Sequence, residues 1–196
     1  MAAGTKVKKL EDPRTLRALA HPLRLRLLGL LRSQGPATVS TLATAVEQAV
    51  PLVSYHLRQL AEHGFIEEAP ELAKDRRETW WRSAHEFTSW SVTDFLDTPE
   101  RLDAIGMFQH QILSAHVARI RAFFDEAQTW DKEWLDASEI SDLRLTLTPP
   151  ELKQLTAELW GVIDRWRERD PSPGAGVAEL ILYAIPREPA AKPDAS

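Results

Sequence analysis

PLVSYHLRQLAEHG, residues 51–64, is the stretch on which the fold turns. Pro51 suits the first position of a helix, because its ring fixes φ and its missing N–H would have had no partner there. Val53, Leu57, Leu60 and Ala61 follow at i, i+4, i+7 and i+8, one face of a 3.6-residue period. Gly64 stands just past the end, where left-handed backbone costs least without a Cβ. A helix over 51–63 is therefore predicted, apolar face inward. Its other side carries Ser54, Tyr55, Arg58, Gln59 and Glu62, with His56 at the edge between the two faces.

Upstream, residues 13–20 and 22–33 read as two short helices separated at His21, since Pro22 is tolerated only at a helix start. Leu16, Leu19, Leu23, Leu27, Leu30 and Leu31 recur at three- and four-residue steps and form one core face. Gly35-Pro36 ends the second helix. Thr38 is an N-cap candidate for a helix through Val46, with Leu42, Ala45 and Val46 turned inward. Downstream, residues 65–68 and 78–83 read as two strands joined by a long charged loop with Lys74, Arg76 and Arg77 at its tip.

The formal charge of the 196-residue chain is -5, which taken whole argues against a polyanionic partner. The halves differ. Residues 1–84 carry 13 basic and 9 acidic side chains, net +4, while residues 85–196 carry 11 basic and 20 acidic, net -9. Such asymmetry is expected of a nucleic-acid surface on an otherwise acidic protein. With no cysteine, disulfides, thiolate metal sites, thiol redox sensing and cysteine nucleophiles are excluded. The apolar run at 23–31 is short and broken by Arg24 and Arg26, so neither a signal peptide nor a membrane span is expected, and a cytoplasmic location is.

Helix, turn, helix and basic hairpin occur in the order of a winged helix-turn-helix. Over about residues 16–84 the chain resembles ArsR-type winged helix-turn-helix transcription regulators. The resemblance is carried by LRALAHPLRLRLLGLL (16–31), VSYHLRQL (53–60), AEHGFIEE (61–68) and RRETWWR (76–82). It implies a helix that enters the major groove, where base edges present a distinct donor and acceptor pattern. Ser54, Tyr55, Arg58 and Gln59 are the candidates for that contact, with His56 implied by the family's Ser-x-His-Leu block. Lys74, Arg76 and Arg77 would meet phosphate or the minor groove, and Thr38 and Ser40 would donate to phosphate. Two departures stand out: Glu47 occupies a turn position where the family usually has Gly, and the helix start reads Ala49-Val50-Pro51-Leu52 where Ser or Thr is usual. Contact of Val50 or Leu52 with thymine methyl groups remains open to such a start.

In the second half, Thr98-Pro99-Glu100 reads as a capped helix start. Leu102, Ile105, Phe108, Ile112, Leu113, Val117, Ile120 and Phe124 continue at helical spacing, a stripe longer than a small winged domain requires. The resemblance implies that this helix pairs across a two-fold axis to match half-sites on DNA. Residues 143–148 alternate with period two and read as a strand. Thr148-Pro149-Pro150-Glu151 matches a capping box, opening a helix with Leu152, Leu155, Leu159, Val162, Ile163 and Trp166 as its buried stripe. Residues 177–185 read as a second strand, paired within the chain or across a dimer. Trp90, Trp130, Trp134, Trp160 and Trp166 invite the idea of a pocket for a small apolar effector.

Catalytic and metal chemistry finds no footing in these motifs. No Gly-rich phosphate loop or Gly-x-Ser-x-Gly is present, and His110 and His116 lie off a common helix face. No cofactor is expected, nor any catalytic or metal-binding residue, and the protein is not expected to be an enzyme. The expected fold is mainly α with small β content: an N-terminal arm (1–12), a winged helix-turn-helix DNA-binding domain (13–84), a helical dimerisation and effector region with a strand-helix-strand unit (85–185), and a disordered tail (186–196). The expected function is a dimeric, ligand-responsive DNA-binding transcription regulator without a Cys-based metal site. Its alternative is a winged-helix module for protein interaction.

Overall fold

The computed structural model describes residues 6–75 and 78–187. Arg76, Arg77 and nearly all of the tail expected at 186–196 lie outside the described residues. Two compact units are present, meeting in sequence between Asp131 and Lys132.

The first unit opens with strand β1 (Val7–Lys9), then helices α1 (Pro13–Leu19) and α2 (Pro22–Ser33). Strand β2 (Ala37–Thr38), helix α3 (Val39–Val46) and helix α4 (Val50–Glu62) follow. Strands β3 (Ile66–Glu68), β4 (Trp80–Ser83) and β5 (Phe87–Ser89) lead into helix α5 (Pro99–Asp125). Side chains set most of these starts. The Asp12 carboxylate accepts from the Thr15 N–H at 3.0 Å, Thr38 Oγ1 from the Thr41 N–H at 3.2 Å, and Thr98 Oγ1 from the Arg101 N–H at 3.4 Å, each satisfying a donor the first turn leaves open. At α2 the cap is His21, whose Nδ1 accepts from the Leu23 N–H at 3.2 Å.

The hairpin expected at 65–68 and 78–83 is present as the antiparallel pair β3 and β4, in register Ile66 to Ser83. Two pairings were not foreseen. β2 adds to the far side of β4, giving the order β2-β4-β3, and β1 pairs in parallel with β5, Val7 opposite Phe87. Residues 7–10, expected as part of an arm, therefore lie inside the fold, and Leu10 is fully buried. β1 and the two-residue β2 carry too little periodicity of their own to be read from sequence, and no tight turn links either to its partner strand.

Leu16, Leu27, Val53, Leu57, Leu60 and Phe65 form the centre of the core, every one of them shut off from solvent. Each such side chain contributes about 1.5–3 kcal/mol relative to exposure. On α3 the inward set is Leu42, Ala43 and Val46; Ala45, expected inside, is exposed, because its neighbour Ala43 faces the core instead. Phe95 and the first half of α5 close the core: Ala104, Ile105 and Phe108 are buried, α5 packs on α1, and Trp90 meets Phe108 edge-on with ring centroids 4.9 Å apart.

This divides the apolar stripe of α5. Ile105 and Phe108, expected at a dimer interface, are consumed by the protomer's own core, and Ile112 is half-buried against it. Leu102, Leu113, Val117, Ile120 and Phe124 are exposed. A 27-residue helix outruns the small domain it packs on, so one stripe serves two environments.

The second unit contains α6 (Lys132–Ala137) and α7 (Pro149–Arg167). The capping box at Thr148 is present in full: the Glu151 N–H donates to Thr148 Oγ1 at 3.5 Å, and the Thr148 N–H donates to the Glu151 carboxylate at 2.7 Å. Two expectations fail here. Residues 143–148 and 177–185 form no strand. The stripe read on α7 is not buried: Leu152, Leu155 and Ile163 are half-buried, while Leu159, Val162 and Trp166 are exposed. Alternation records which side chains would share a face; a strand exists only once a neighbour accepts its hydrogen bonds.

Candidate nucleic-acid interface

The turn between α3 and α4 is made by Glu47, at φ 55 and ψ 46, the one non-glycine residue with positive φ among the described residues. Beyond it the Gln48 N–H returns to the Ala43 carbonyl at 3.0 Å, which satisfies an open acceptor at the end of α3. The Gly expected by resemblance would take this conformation without a Cβ penalty; Glu47 takes it with one. Arg26 holds the same corner from α2, donating to the Ala45 carbonyl at 2.9 Å and the Val46 carbonyl at 3.5 Å. A cation at the carboxyl end of α3 also suits the helix dipole.

Helix α4 is seated by Val53, Leu57 and Leu60, which leaves a definite outer face. Tyr55 is 56% exposed, Arg58 is exposed and Ser54 is half-buried. Gln59, also half-buried, donates its amide to the Glu62 carboxylate at 2.7 Å. The first turn has no side-chain cap, and Val50 and Leu52 point their apolar groups at solvent, 47% and 41% exposed.

His56 is not at the edge: it is 5% exposed, and its ring packs on His21 with centroids 4.4 Å apart. This corrects the expectation that it lies at the edge between the two faces of α4. Position 56 follows Val53 by three residues and precedes Leu60 by four, so it shares their inward face. Burial pushes the imidazole pKa of His56 down, and the neighbouring His21 and Arg24 push it further. His21 is lowered by burial and by Arg24. Nδ1 of His56 has no hydrogen-bond partner. His21 and His56 also line an open groove of about 420 Å³ with Arg26, Val46, Gln48 and Leu52.

Thr38 and Ser40 stand at the start of α3. The Thr38 hydroxyl is engaged in capping and half-buried, whereas Ser40 is exposed. In the wing, Arg82 is paired with Glu67 at 2.7 Å and with Glu71, so its charge is spent within the sheet. The Glu78 carboxylate accepts from the Lys74 N–H at 3.3 Å and from Trp80 Nε1 at 3.2 Å, holding the two ends of the loop together. Lys74 is exposed. Arg32 pins the base of the wing to α2, donating to the His85 carbonyl at 3.2 Å and Thr88 Oγ1 at 2.8 Å. Its guanidinium pKa is lowered to about 10 by burial.

A second concavity of about 390 Å³ is lined by Lys6, Glu67, Arg82, His85 and Glu86. None of the five tryptophans named for an effector pocket lines either cavity. Among the described residues no helix is long and apolar enough to cross a membrane.

Helix, turn and helix with a three-stranded wing define the class: a winged helix-turn-helix domain. A protein-family model described as "Helix-turn-helix domain" matches residues 19–69, which span α2, α3, α4 and β3, in keeping with the ArsR-like resemblance of the sequence. No curated protein matches the chain. Among solved structures, a possible transcriptional regulatory protein from Mycobacterium bovis is 24% identical, covering 53% of this chain and 88% of its own, with a TM-score of 0.34. The homodimeric winged helix-turn-helix DNA-binding domain of a possible ArsR-family regulator from M. bovis is 25% identical over 58% of this chain and 77% of its own, TM-score 0.32. The S. aureus MepR–DNA complex is 17% identical over 61% and 87%, TM-score 0.32.

Proposed function

We propose that the protein is a DNA-binding transcription regulator that acts as a homodimer, with α4 of each copy in a major groove. The observation that carries this reading is the outer face of α4: Tyr55 and Arg58 stand exposed on a helix whose opposite side is locked into the core. Arg58 can meet guanine or phosphate, and Tyr55 adds a hydroxyl at the end of a rigid ring. Lys74, with Arg76 and Arg77 beside it in sequence, supplies sequence-independent affinity to phosphate. Ser40 is the free hydroxyl at the start of α3; Thr38, already capping, contributes through the backbone it fixes.

The dimer is supported by the outer half of α5. Leu113, Val117, Ile120 and Phe124 recur at alternating steps of four, three and four and are all exposed, the spacing of a seam between two helices. Two-fold symmetry would present two α4 helices to two half-sites. Response to an apolar effector is the least supported part of this reading, since neither cavity is lined by the tryptophans that suggested it.

A protein-interaction module is the second reading, favoured by the exposed apolar start of α4 at Val50 and Leu52. Selection from a random duplex pool at low salt separates the two. Enrichment of a two-fold-symmetric sequence, with affinity falling steeply as salt rises, is the regulator's outcome; a pool that returns no retained fragment rejects it.

A further inference from the structure

Helices α1, α2, α3, α5 and α7 each begin at a residue whose side chain accepts a hydrogen bond from the first turn. Helix α4 does not. Its N-cap is Ala49, which has no acceptor to offer, although Ser, Thr, Asn or Asp there would stabilise the helix. The turn that follows is apolar and open: Val50 is 47% exposed, Leu52 41%, and Pro51 between them is exposed as well. It is also poor in donors. Pro51 has no N–H, and the Leu52 N–H turns back to the Ala49 carbonyl at 3.0 Å. The opposite side of the helix is held in the core by Val53, Leu57 and Leu60, so this start is a fixed surface built for contact other than hydrogen bonding.

Its place on the helix indicates the contact. In helix-turn-helix docking, the N-terminal residues of the second helix reach base edges. Those edges present donors, acceptors and one apolar projection in the major groove, the C5-methyl of thymine. Val50 and Leu52 carry no polar side-chain atom, so only the methyl rewards their approach; a polar edge set against them would lose water and gain no partner. The same face turns polar further along. Tyr55 follows Leu52 by three residues, and Arg58 follows Ser54, itself four residues past Val50, by four more. At a rise of about 1.5 Å per residue, Arg58 stands about 9–12 Å beyond Leu52 and Val50. Base pairs are about 3.4 Å apart, so the two ends of α4 meet different ones.

We infer that Val50 and Leu52 are specificity-determining residues that read thymine: packed against C5-methyl groups, they fix one or two thymines in each half-site, at positions separate from the one Arg58 contacts. The inference rests on the DNA-binding reading proposed above and adds to it the chemistry of the preferred site. Neither side chain belongs to the core, so either can be shortened without unseating α4.

The test uses the full chain and the duplex enriched from the random pool. Each thymine of a half-site is replaced in turn by deoxyuridine, which keeps the pairing and the O4 acceptor but lacks the methyl. Affinity is expected to fall about two- to fivefold at one or two positions per half-site and to stay unchanged elsewhere. Cytosine and then 5-methylcytosine at a sensitive position return the methyl without the O4 acceptor, and the methylated form is expected to bind the more tightly. These substitutions lie in the DNA and stand independently of how any protein variant folds. Val50→Ala and Leu52→Ala are each expected to lose the thymine–uracil difference at one sensitive position, while Arg58→Ala retains it at both. An enriched half-site with no fixed thymine, uracil replacements that all bind alike, or a methyl effect undiminished in both Ala variants overturns the inference and leaves the DNA-binding reading standing. A pool that returns no retained fragment rejects that reading and the inference together.

Discussion

The imidazole rings of His21 and His56 lie 4.4 Å apart, joining the residue that caps α2 to the inner side of α4. His21 accepts the Leu23 N–H through Nδ1 and so must be unprotonated there. Arg24 on α2 is close enough to oppose a positive charge on either ring, Tyr55 meets His56 edge-on at 5.2 Å, and Arg26 shares the groove they line.

Stability should therefore fall with acid through this pair. Both pKa values are lowered in the folded chain, first by burial and then by neighbouring positive charge. The unfolded chain thus binds more protons, and stability rises with pH in this window. It is complete above the ordinary histidine value of about 6.5 and is lost as pH drops from there toward the lowered values. Urea titrations of the intact chain across this range should show the slope. The double variant His21→Asn/His56→Leu, which keeps a capping acceptor, should flatten it; an unchanged slope would place the effect elsewhere.

Glu47→Gly should stabilise the winged unit. The left-handed conformation at φ 55 costs a residue with a Cβ about 1–2 kcal/mol, offset in part by the greater freedom of Gly in the unfolded chain. A net gain of about 0.5–1 kcal/mol by chemical denaturation is expected, and a loss would mean that the Glu47 side chain stabilises the turn in some other way.

Arg26→Met should cost about 1–2 kcal/mol, because the Ala45 and Val46 carbonyls at the end of α3 lose their donor. Methionine keeps the apolar stem over the core. If the corner sets the angle of α4, affinity for a selected duplex should fall more than stability does.

The two halves of α5 should respond differently. Phe108→Ala removes a fully buried ring and should destabilise the winged unit by about 3–5 kcal/mol. Phe124→Glu, on the exposed half, should leave secondary structure intact and shift sedimentation toward monomer. Equal destabilisation by both variants would contradict this division.

On DNA, Arg58→Ala should cost about 1–3 kcal/mol and relax specificity at one position of each half-site, if it reads a base. Lys74→Ala should weaken all duplexes alike and reduce the salt slope by about one unit per site. Competition with altered duplexes over a salt series distinguishes the two.

The local signals needed no tertiary structure to be legible. Pro13, Pro22, Pro51, Pro99 and Pro149 each stand at the first or second residue of a helix, Asp12, Thr98 and Thr148 cap three of these helices and Thr38 caps α3, and Gly64 follows α4 with φ 67. Helical periodicity over 51–63 fixed which side of α4 faces the core, because Val53, Leu57 and Leu60 repeat often enough to define a face. Composition ruled out thiol chemistry outright. Tertiary structure alone decided the rest: that His56 turns inward onto His21, that α5 spends Ile105 and Phe108 on its own core, that Val7–Lys9 finds β5, and that 143–148 and 177–185 are not strands. The physical reason is common to all four. Capping and periodicity act within a few residues, whereas burial and strand pairing depend on a surface that distant residues, or another chain, must supply.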